Sequence, residues 1–320
     1  MLILVYRETT INICRHSPVD AFTESAFKGN PAAVCLLEEE KGEKWLQLVA
    51  TEFNLSETCF LTRIDLDSPN PSRLFIVYED LLVFISMHDV CLQVKLCGHA
   101  TLAASHFIFS SGLVKVNVIE FMTLSGVLTA RRVSLPEVSV LSQLKSDGFC
   151  IELDFPVVPL VEYTSVEVSN ISQSLNGASI VDIKKRTTED DLLVMLSSGK
   201  TVAELQPMFE KIQKLPCRGM TVTALAPSES GFDIYSRFFL LGLDTIGNLF
   251  NACNFISGSC HRHCTLCLGT LWCQKLGKSD LVAYQASTRG GFIRFHLDER
   301  NQRVMLQGKA VTVMEGSLLV

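Results

Sequence analysis

LCGHATLAASHFIFSSG, residues 96–112, is the stretch that decides the fold. It opens with the turn Gly98-His99, runs from 102 to 109 with apolar residues on almost every side, and ends at Ser110-Ser111-Gly112. A helix that is apolar all round lies inside a protein. The segment 265–276 predicts a second helix of this kind. Two buried helices, one in each half of the chain, predict two similar α/β halves.

The residues before the first buried helix predict two strands and an amphipathic helix. Val19-Asp20-Ala21-Phe22 and the apolar run 32–37 are typical strands, joined through the turn Lys28-Gly29-Asn30-Pro31. Apolar residues at helical spacing predict a helix over 43–53, which ends at Asn54-Leu55-Ser56. The next strand is predicted to start at Thr58. Glu57 therefore lies where a helix gives way to a strand.

Composition limits the function classes. A chain of 320 residues with 48% apolar and 19% charged residues predicts about two globular domains. The net charge is −6 and no long basic stripe is present, which argues against nucleic-acid binding. The apolar stretch 74–96 contains five charged or titratable residues, which argues against a membrane span. Residues 1–13 lack the pattern of a secretory signal, so we expect a cytoplasmic location with mostly buried thiols.

Several polar residues allow both a functional and an ordinary structural interpretation. Burial in an apolar cleft disfavours the charged form of a carboxyl, which would suit Glu57 to proton transfer. Glu57 could equally be a surface residue near a helix end. Gly98 and His99 could bind a carboxylate at a helix N-terminus, or simply form a turn. Asp20 and Asn30 are ordinary turn residues unless the fold brings them to a site.

These pieces occur in an order that resembles the phenazine biosynthesis-like (PhzF-like) isomerase family. The resemblance covers most of the chain and lies in a series of short motifs. They are 19–23, 27–35, Asn54-Leu55-Ser56-Glu57-Thr58, Leu96-Cys97-Gly98-His99-Ala100-Thr101, 123–126, 232–239, Tyr284-Gln285-Ala286-Ser287, Arg289-Gly290-Gly291 and 308–311.

The resemblance implies the fold of diaminopimelate epimerase. That fold is α/β (α+β), with two pseudo-symmetric domains, each a curled, mostly antiparallel sheet around a central helix. We expect an N-terminal half over 1–130, a C-terminal half over 131–300 and closing strands over 301–320. The resemblance also allows a homodimer.

The resemblance implies an isomerase that uses no cofactor and no metal. Glu57 would be the general acid/base that moves a proton on a small carboxylated substrate. The Gly98-His99 turn would bind that substrate, and Gly258 and Ser259 would complete the site from the second half. Asp20 and Asn30 are further predicted substrate-binding residues.

Two segments, 76–93 and 240–271, depart from the family pattern. The second lacks the aspartate that the family contributes from its second half. A retained intron or a local frame slip in the gene model would produce such segments, and so would true divergence of the protein. The departures leave open a catalytically impaired member that binds a ligand or a protein. A zinc site formed by Cys260, His263, Cys264 and Cys267 is a third hypothesis, although packing of that helix face is the more ordinary interpretation.

Overall fold

The chain folds as alternating strands and helices. A computed structural model describes residues 13–37, 40–55, 57–63, 83–88, 93–94, 97–123, 126–134, 149–164, 167–187, 190–240 and 264–319.

The elements up to the middle of the chain are dominated by strands. They are β1 (Ile13–Ala21), β2 (Asn30–Leu37), α1 (Glu43–Phe53), β3 (Thr58–Arg63), β4 (Val83–His88), β5 (Gln93–Val94), α2 (Gly98–Ser110), β6 (Val118–Thr123), β7 (Gly126–Val133) and β8 (Cys150–Pro156).

The remaining elements repeat the alternation of strands and helices. They are β9 (Leu160–Glu162), α3 (Val168–Ser174), β10 (Ile180–Arg186), β11 (Asp191–Leu196), α4 (Gly199–Glu204), α5 (Phe209–Ile212), β12 (Gly219–Leu225), β13 (Ile234–Leu240), α6 (Cys264–Leu276), β14 (Asp280–Gln285), β15 (Phe292–Asp298), β16 (Arg303–Gly308), β17 (Ala310–Thr312) and β18 (Gly316–Leu319). The 3-10 turn Ser228–Ser230 precedes β13.

Strand pairing shows an internal repeat. In the first repeat, β1–β2 is antiparallel, β2–β3 parallel, β3–β4 antiparallel, β4–β6 parallel, and β6–β7 and β7–β8 antiparallel. The second repeat has the same series from β10 through β16. Each parallel pair needs a crossover connection. Helix α1 lies in the β2–β3 crossover and α2 in the β4–β6 crossover, and their counterparts are α4 with α5, and α6.

The two buried helices lie against separate sets of strands. Helix α2 packs on β1, β2, β3, β7, β8 and β17, whereas α6 packs on β11, β14, β15 and β16. The two sheets join where β8 pairs antiparallel with β16. The predicted fold class is therefore confirmed: two pseudo-symmetric α+β units, each with a mostly antiparallel sheet and a central helix. The predicted domain boundaries at 130 and 300 stay a prediction.

The packing of α1 against β3 fixes the two elements between which Glu57 lies. Leu46 and Val49 are buried against Phe60 of β3, and each such side chain contributes about 1.5–3 kcal/mol when fully buried. The helix ends at Asn54, whose left-handed φ of 48° turns the chain while its backbone N–H donates to the Ala50 carbonyl. The chain then enters β3 at Thr58.

Part of the first segment that departs from the family pattern forms a regular strand of the sheet. Val83–His88, within the stretch 76–93, pairs with β3 over six residue pairs and lies parallel to β6. It occupies the strand position that β13 occupies in the second repeat. Most of the other departing segment, 240–271, lies outside the described residues.

The charged residues of the stretch 74–96 argued against a membrane span. Within the described ranges, no helix combines the length and the apolar character that crossing a membrane requires.

Candidate active site

Glu57 lies at the junction of α1 and β3, and its side chain is fully buried. Its backbone carbonyl accepts a hydrogen bond from the Ala33 N–H at 3.0 Å. Ala33 is also the partner of Thr58 in the parallel register of β2 and β3. Two neighbouring strands therefore fix the backbone on both sides of this carboxyl group.

Cys59 connects Glu57 to helix α2. The Cys59 thiol donates to the Ala100 carbonyl at 3.2 Å, in the first turn of that helix. Burial raises the pKa of the Cys59 thiol well above its usual value, and the negative charge of Glu57 raises it further. The carboxyl group of Glu57 therefore lies within electrostatic range of a side chain that contacts the start of α2.

The start of α2 brings His99 and Cys97 together. Cys97 is the N-cap residue, but its side chain makes no capping hydrogen bond. Its sulfur lies 3.1 Å from His99 Nδ1 instead, and both residues are fully buried. The Thr101 hydroxyl and backbone N–H both donate to the Cys97 carbonyl, which fixes the first turn. Gly98 is partly exposed at this helix start.

The N-terminal end of a helix attracts anions because its first N–H groups point outwards and the helix dipole is positive there. Gly98 adds room for a close approach, since the nearest atom to a Cβ built on it is Leu306 Cδ1 at 3.5 Å. Cys59 thus links the segment that contains the buried Glu57 to the first turn of α2. A helix N-terminus can hold a carboxylate, and a buried carboxyl group can move a proton.

Asp20 and Asn30 make contacts with the second repeat. Asp20 Oδ1 accepts from Arg289 at 2.6 Å, and its Oδ2 accepts from the Phe27 N–H at 2.6 Å. Burial raises the Asp20 pKa, and the Arg289 charge partly opposes that increase. Asn30 exchanges two hydrogen bonds with the side-chain amide of Gln285. Substrate contact by Asp20 and Asn30 stays a prediction.

The roles of Gln285 and Arg289 were not predicted from sequence. Both lie in motifs that carried the family resemblance, but nothing near them indicated their partners. Arg289 also donates through Nε to the Gly29 carbonyl at 2.8 Å. Gln285 is 6% exposed and Asn30 is fully buried, so the amide pair lies inside the protein.

Four other predicted residues lie outside the described part of the chain. Gly258 and Ser259 lie outside the described residues, as do Cys260 and His263 of the zinc hypothesis. Cys267 is buried, and its sulfur lies 3.9 Å from the Val158 carbonyl oxygen. Over the described ranges, no group of three or more His, Cys, Asp or Glu side chains could hold a metal ion.

Comparison with known proteins finds relatives that match most of the chain. A sequence model described as phenazine biosynthesis-like protein (PhzC-PhzF) matches residues 19–316. An uncharacterized isomerase of Halalkalibacterium halodurans is 35% identical over 303 residues, which cover 94% of this chain and 97% of that relative.

Solved structures show the same fold. A PhzF family protein of Enterococcus faecalis superposes with a TM-score of 0.74 and 28% identity, over 96% of this chain and 100% of that one. A hydroxyproline epimerase of Agrobacterium vitis, solved with trans-4-hydroxy-L-proline, has a TM-score of 0.51 and 9% identity over 96% of this chain and 91% of its own. That second likeness concerns the fold alone.

Proposed function

Because the chain belongs to the phenazine biosynthesis-like (PhzF) family, we propose that it is an isomerase that moves a proton on a small carboxylated substrate. Glu57 is the general acid and base of this proposal, and the start of α2 binds the substrate carboxylate. The observation that supports it best is the full burial of the Glu57 carboxyl, two residues before Cys59, whose thiol donates to the first turn of α2.

The proposed step begins with Glu57 as a carboxylate. One of its oxygens takes the proton from a carbon next to the substrate carboxyl or carbonyl group, which breaks the C–H bond and forms an O–H bond. The electron pair of the C–H bond is delocalised onto the substrate's oxygen atoms. Glu57 then returns the proton to that carbon or to another carbon of the conjugated system. Substrate and product have the same atoms and the same oxidation level, so the step needs no external oxidant or reductant.

Helix α2 stabilises the charge that develops during this step. The transient anion places additional negative charge on the substrate oxygens, and preorganised N–H groups in a site that excludes water stabilise such charge strongly. Gly98 is the residue of α2 with partial exposure at this point. The helix N-terminus therefore both holds the substrate and lowers the barrier to proton removal.

His99 supports the same step through its second ring nitrogen. In this proposal the Cys97 thiol donates to Nδ1, and the ring proton on Nε2 is the one that His99 donates to a hydrogen-bond partner. A donor at this position would hold a substrate oxygen next to Glu57. The thiol of Cys97 thereby helps to fix which imidazole atom faces the reaction.

The test is hydrogen exchange at carbon. The purified protein is incubated in D2O with small carboxylic acids that carry a hydrogen next to the carboxyl group, trans-4-hydroxy-L-proline and dicarboxylic acids included, and loss of the C–H signal is followed by proton NMR. We expect exchange or isomerisation of at least one compound by the wild-type protein and none by Glu57→Gln. Equal exchange by both proteins would rule out the role of Glu57.

A further inference from the structure

Several hydrogen bonds join the loop 22–30 of the first repeat to the turn 285–292 of the second repeat. Arg289 donates to the Asp20 carboxylate and to the carbonyls of Gly29 and Lys28. The Gly29 N–H donates back to the Arg289 carbonyl at 3.4 Å. The Phe292 N–H donates to the Phe22 carbonyl at 3.0 Å. The contact therefore uses both side chains and backbone from each repeat.

Its backbone is locked in conformations that few residues adopt. Gly29 has a φ of 62°, and a Cβ there would lie 2.2 Å from the Ala21 carbonyl oxygen. Gly291 has a φ of 139° and lies against Phe22 and Gly29. Both positions require glycine because a side chain would be strained or would clash. Gly29 in the first repeat and Gly291 in the second therefore allow the two backbones to approach closely.

The buried part of the contact is the amide pair. Asn30 Nδ2 donates to Gln285 Oε1 at 3.2 Å, and Gln285 Nε2 donates to Asn30 Oδ1 at 3.1 Å. Each amide satisfies a donor and an acceptor of the other, which a buried polar side chain requires. These two residues are 255 positions apart in the chain. The amide pair therefore joins the two repeats through two reciprocal hydrogen bonds.

Asn30 is also the first residue of β2, the strand that holds Glu57. Three residues further on, the Ala33 N–H donates to the Glu57 carbonyl. A displacement of Asn30 along β2 is therefore passed to the backbone of Glu57 through a regular strand. The same strand packs against α2.

We propose that Asn30 and Gln285, supported by Asp20 and Arg289, form a clasp that fixes Glu57 relative to the second repeat. They are positioning residues, and this role rests on the proposed function of Glu57. The clasp gives Asp20, Asn30, Gln285 and Arg289 a shared task that does not require any of them to touch the substrate. Its consequence is specific: loosening the clasp slows proton transfer more than it weakens substrate binding.

The experiment exchanges the lengths of the two amide side chains. Asn30→Gln is one methylene too long and Gln285→Asn one methylene too short, whereas the double variant restores the combined length. Gln213→Asn, at an exposed glutamine on the surface, is the matched control. Four quantities are measured for each protein: kcat and KM for a compound found in the exchange screen, backbone hydrogen–deuterium exchange of the peptide 57–61, and the thermal midpoint.

We expect each single variant to lower kcat by roughly tenfold or more with a smaller change in KM, because small displacements of reacting groups are costly. The peptide 57–61 should exchange faster in each single variant. The double variant should recover both properties. If Asn30→Gln does not fold, Arg289→Lys replaces it, since lysine keeps the charge but loses the guanidinium geometry.

Two results would contradict the clasp. One is a lower thermal midpoint with unchanged kcat and unchanged exchange of 57–61, which would show a purely structural contact. The other is single variants whose defects add in the double variant. A failure of the proposed function itself is distinguishable, because Glu57→Gln would then keep full turnover whatever the peptide 57–61 does.

Discussion

The sulfur of Cys97 lies 3.1 Å from Nδ1 of His99, at the first turn of a buried helix. A neutral thiol can donate to an unprotonated Nδ1, and we predict this direction for the contact. In that direction the contact selects the imidazole tautomer that carries its proton on Nε2.

Cys97→Ala should therefore change the state of the His99 ring. Without the sulfur, the ring loses its preference and both tautomers become populated, and turnover of the substrate falls. Long-range nitrogen–proton NMR of the histidine rings measures the tautomer, with the His99 signals identified by their loss in His99→Gln. Cys97→Ser, which keeps a donor, is the control and should retain the Nε2–H tautomer. Unchanged ring nitrogen shifts in Cys97→Ala would contradict the assignment.

Gly98→Ala should separate ligand binding from folding. The nearest atom to the added methyl group would be 3.5 Å away, an ordinary contact. The free energy of unfolding should therefore change by no more than about 1 kcal/mol. The methyl group would, however, block close approach to the first turn of α2, so KM should rise. Gly42→Ala, with no atom within 4 Å at the start of α1, is the control. An unchanged KM would remove substrate binding from this helix start.

His106 should make stability depend on pH. Burial lowers its pKa to about 4, and its ring stacks on Phe149. The folded protein thus binds a proton less readily than the unfolded chain, in which the histidine pKa is about 6.5. The contribution of neutral His106 is present above about pH 6.5 and is lost as the pH falls towards about 4, by roughly 3 kcal/mol in total.

Urea unfolding between pH 7 and pH 4 measures this contribution. His106→Gln cannot titrate and should reduce the loss of stability over that interval. His296→Gln, at a more exposed histidine on β15, should keep the wild-type loss. A wild-type pH dependence in His106→Gln would show that other groups cause it.

Asp191 should be one of the most sensitive positions for stability. Its carboxylate accepts from Arg186 at 2.7 Å and from Arg218 Nε at 3.0 Å, and the side chains of Asp191 and Arg186 are only 1% and 3% exposed. Asp191→Asn would leave the buried Arg186 charge without its carboxylate, a change that costs about 3–5 kcal/mol.

Denaturant unfolding checks the size of this effect. Asp190→Asn is the matched control, because the neighbouring Asp190 side chain is 71% exposed beside Lys185. The control should lose far less stability than Asp191→Asn. Similar losses in the two variants would show that the cluster adds little.

Long, strongly patterned elements could be predicted from the sequence. The helix over 43–53 has the predicted bounds, and the two apolar helices begin within a few residues of the predicted positions. No elements were predicted between 161 and 219, where the structure has β10, β11 and three short helices. Helices as short as α5, Phe209–Ile212, show no readable period. Strand β11 is buried along its whole length, so its apolar run does not alternate.

The candidate site also contains some residues that could be predicted from the sequence and others that could not. Glu57 and the Gly98-His99 turn were predicted from the family resemblance, which each of them carries in a compact motif beside a recognisable helix. The partners of Asp20 and Asn30 were not, because they lie 269 and 255 positions away. A single sequence contains no signal for a contact between distant residues when neither belongs to a spacing pattern. The topology of the repeats brings these residues together.

The rate of hydrogen exchange at the substrate carbon in Glu57→Gln tests the central claim most directly. Glutamine keeps the shape of the buried side chain but cannot accept a proton as a carboxylate does. Glu52→Gln, at an exposed glutamate in the last turn of α1, is the matched control. We predict exchange at the wild-type rate in Glu52→Gln and a loss of about 100-fold or more in Glu57→Gln, the usual contribution of a general base. Exchange by Glu57→Gln at the rate of the control would contradict the account.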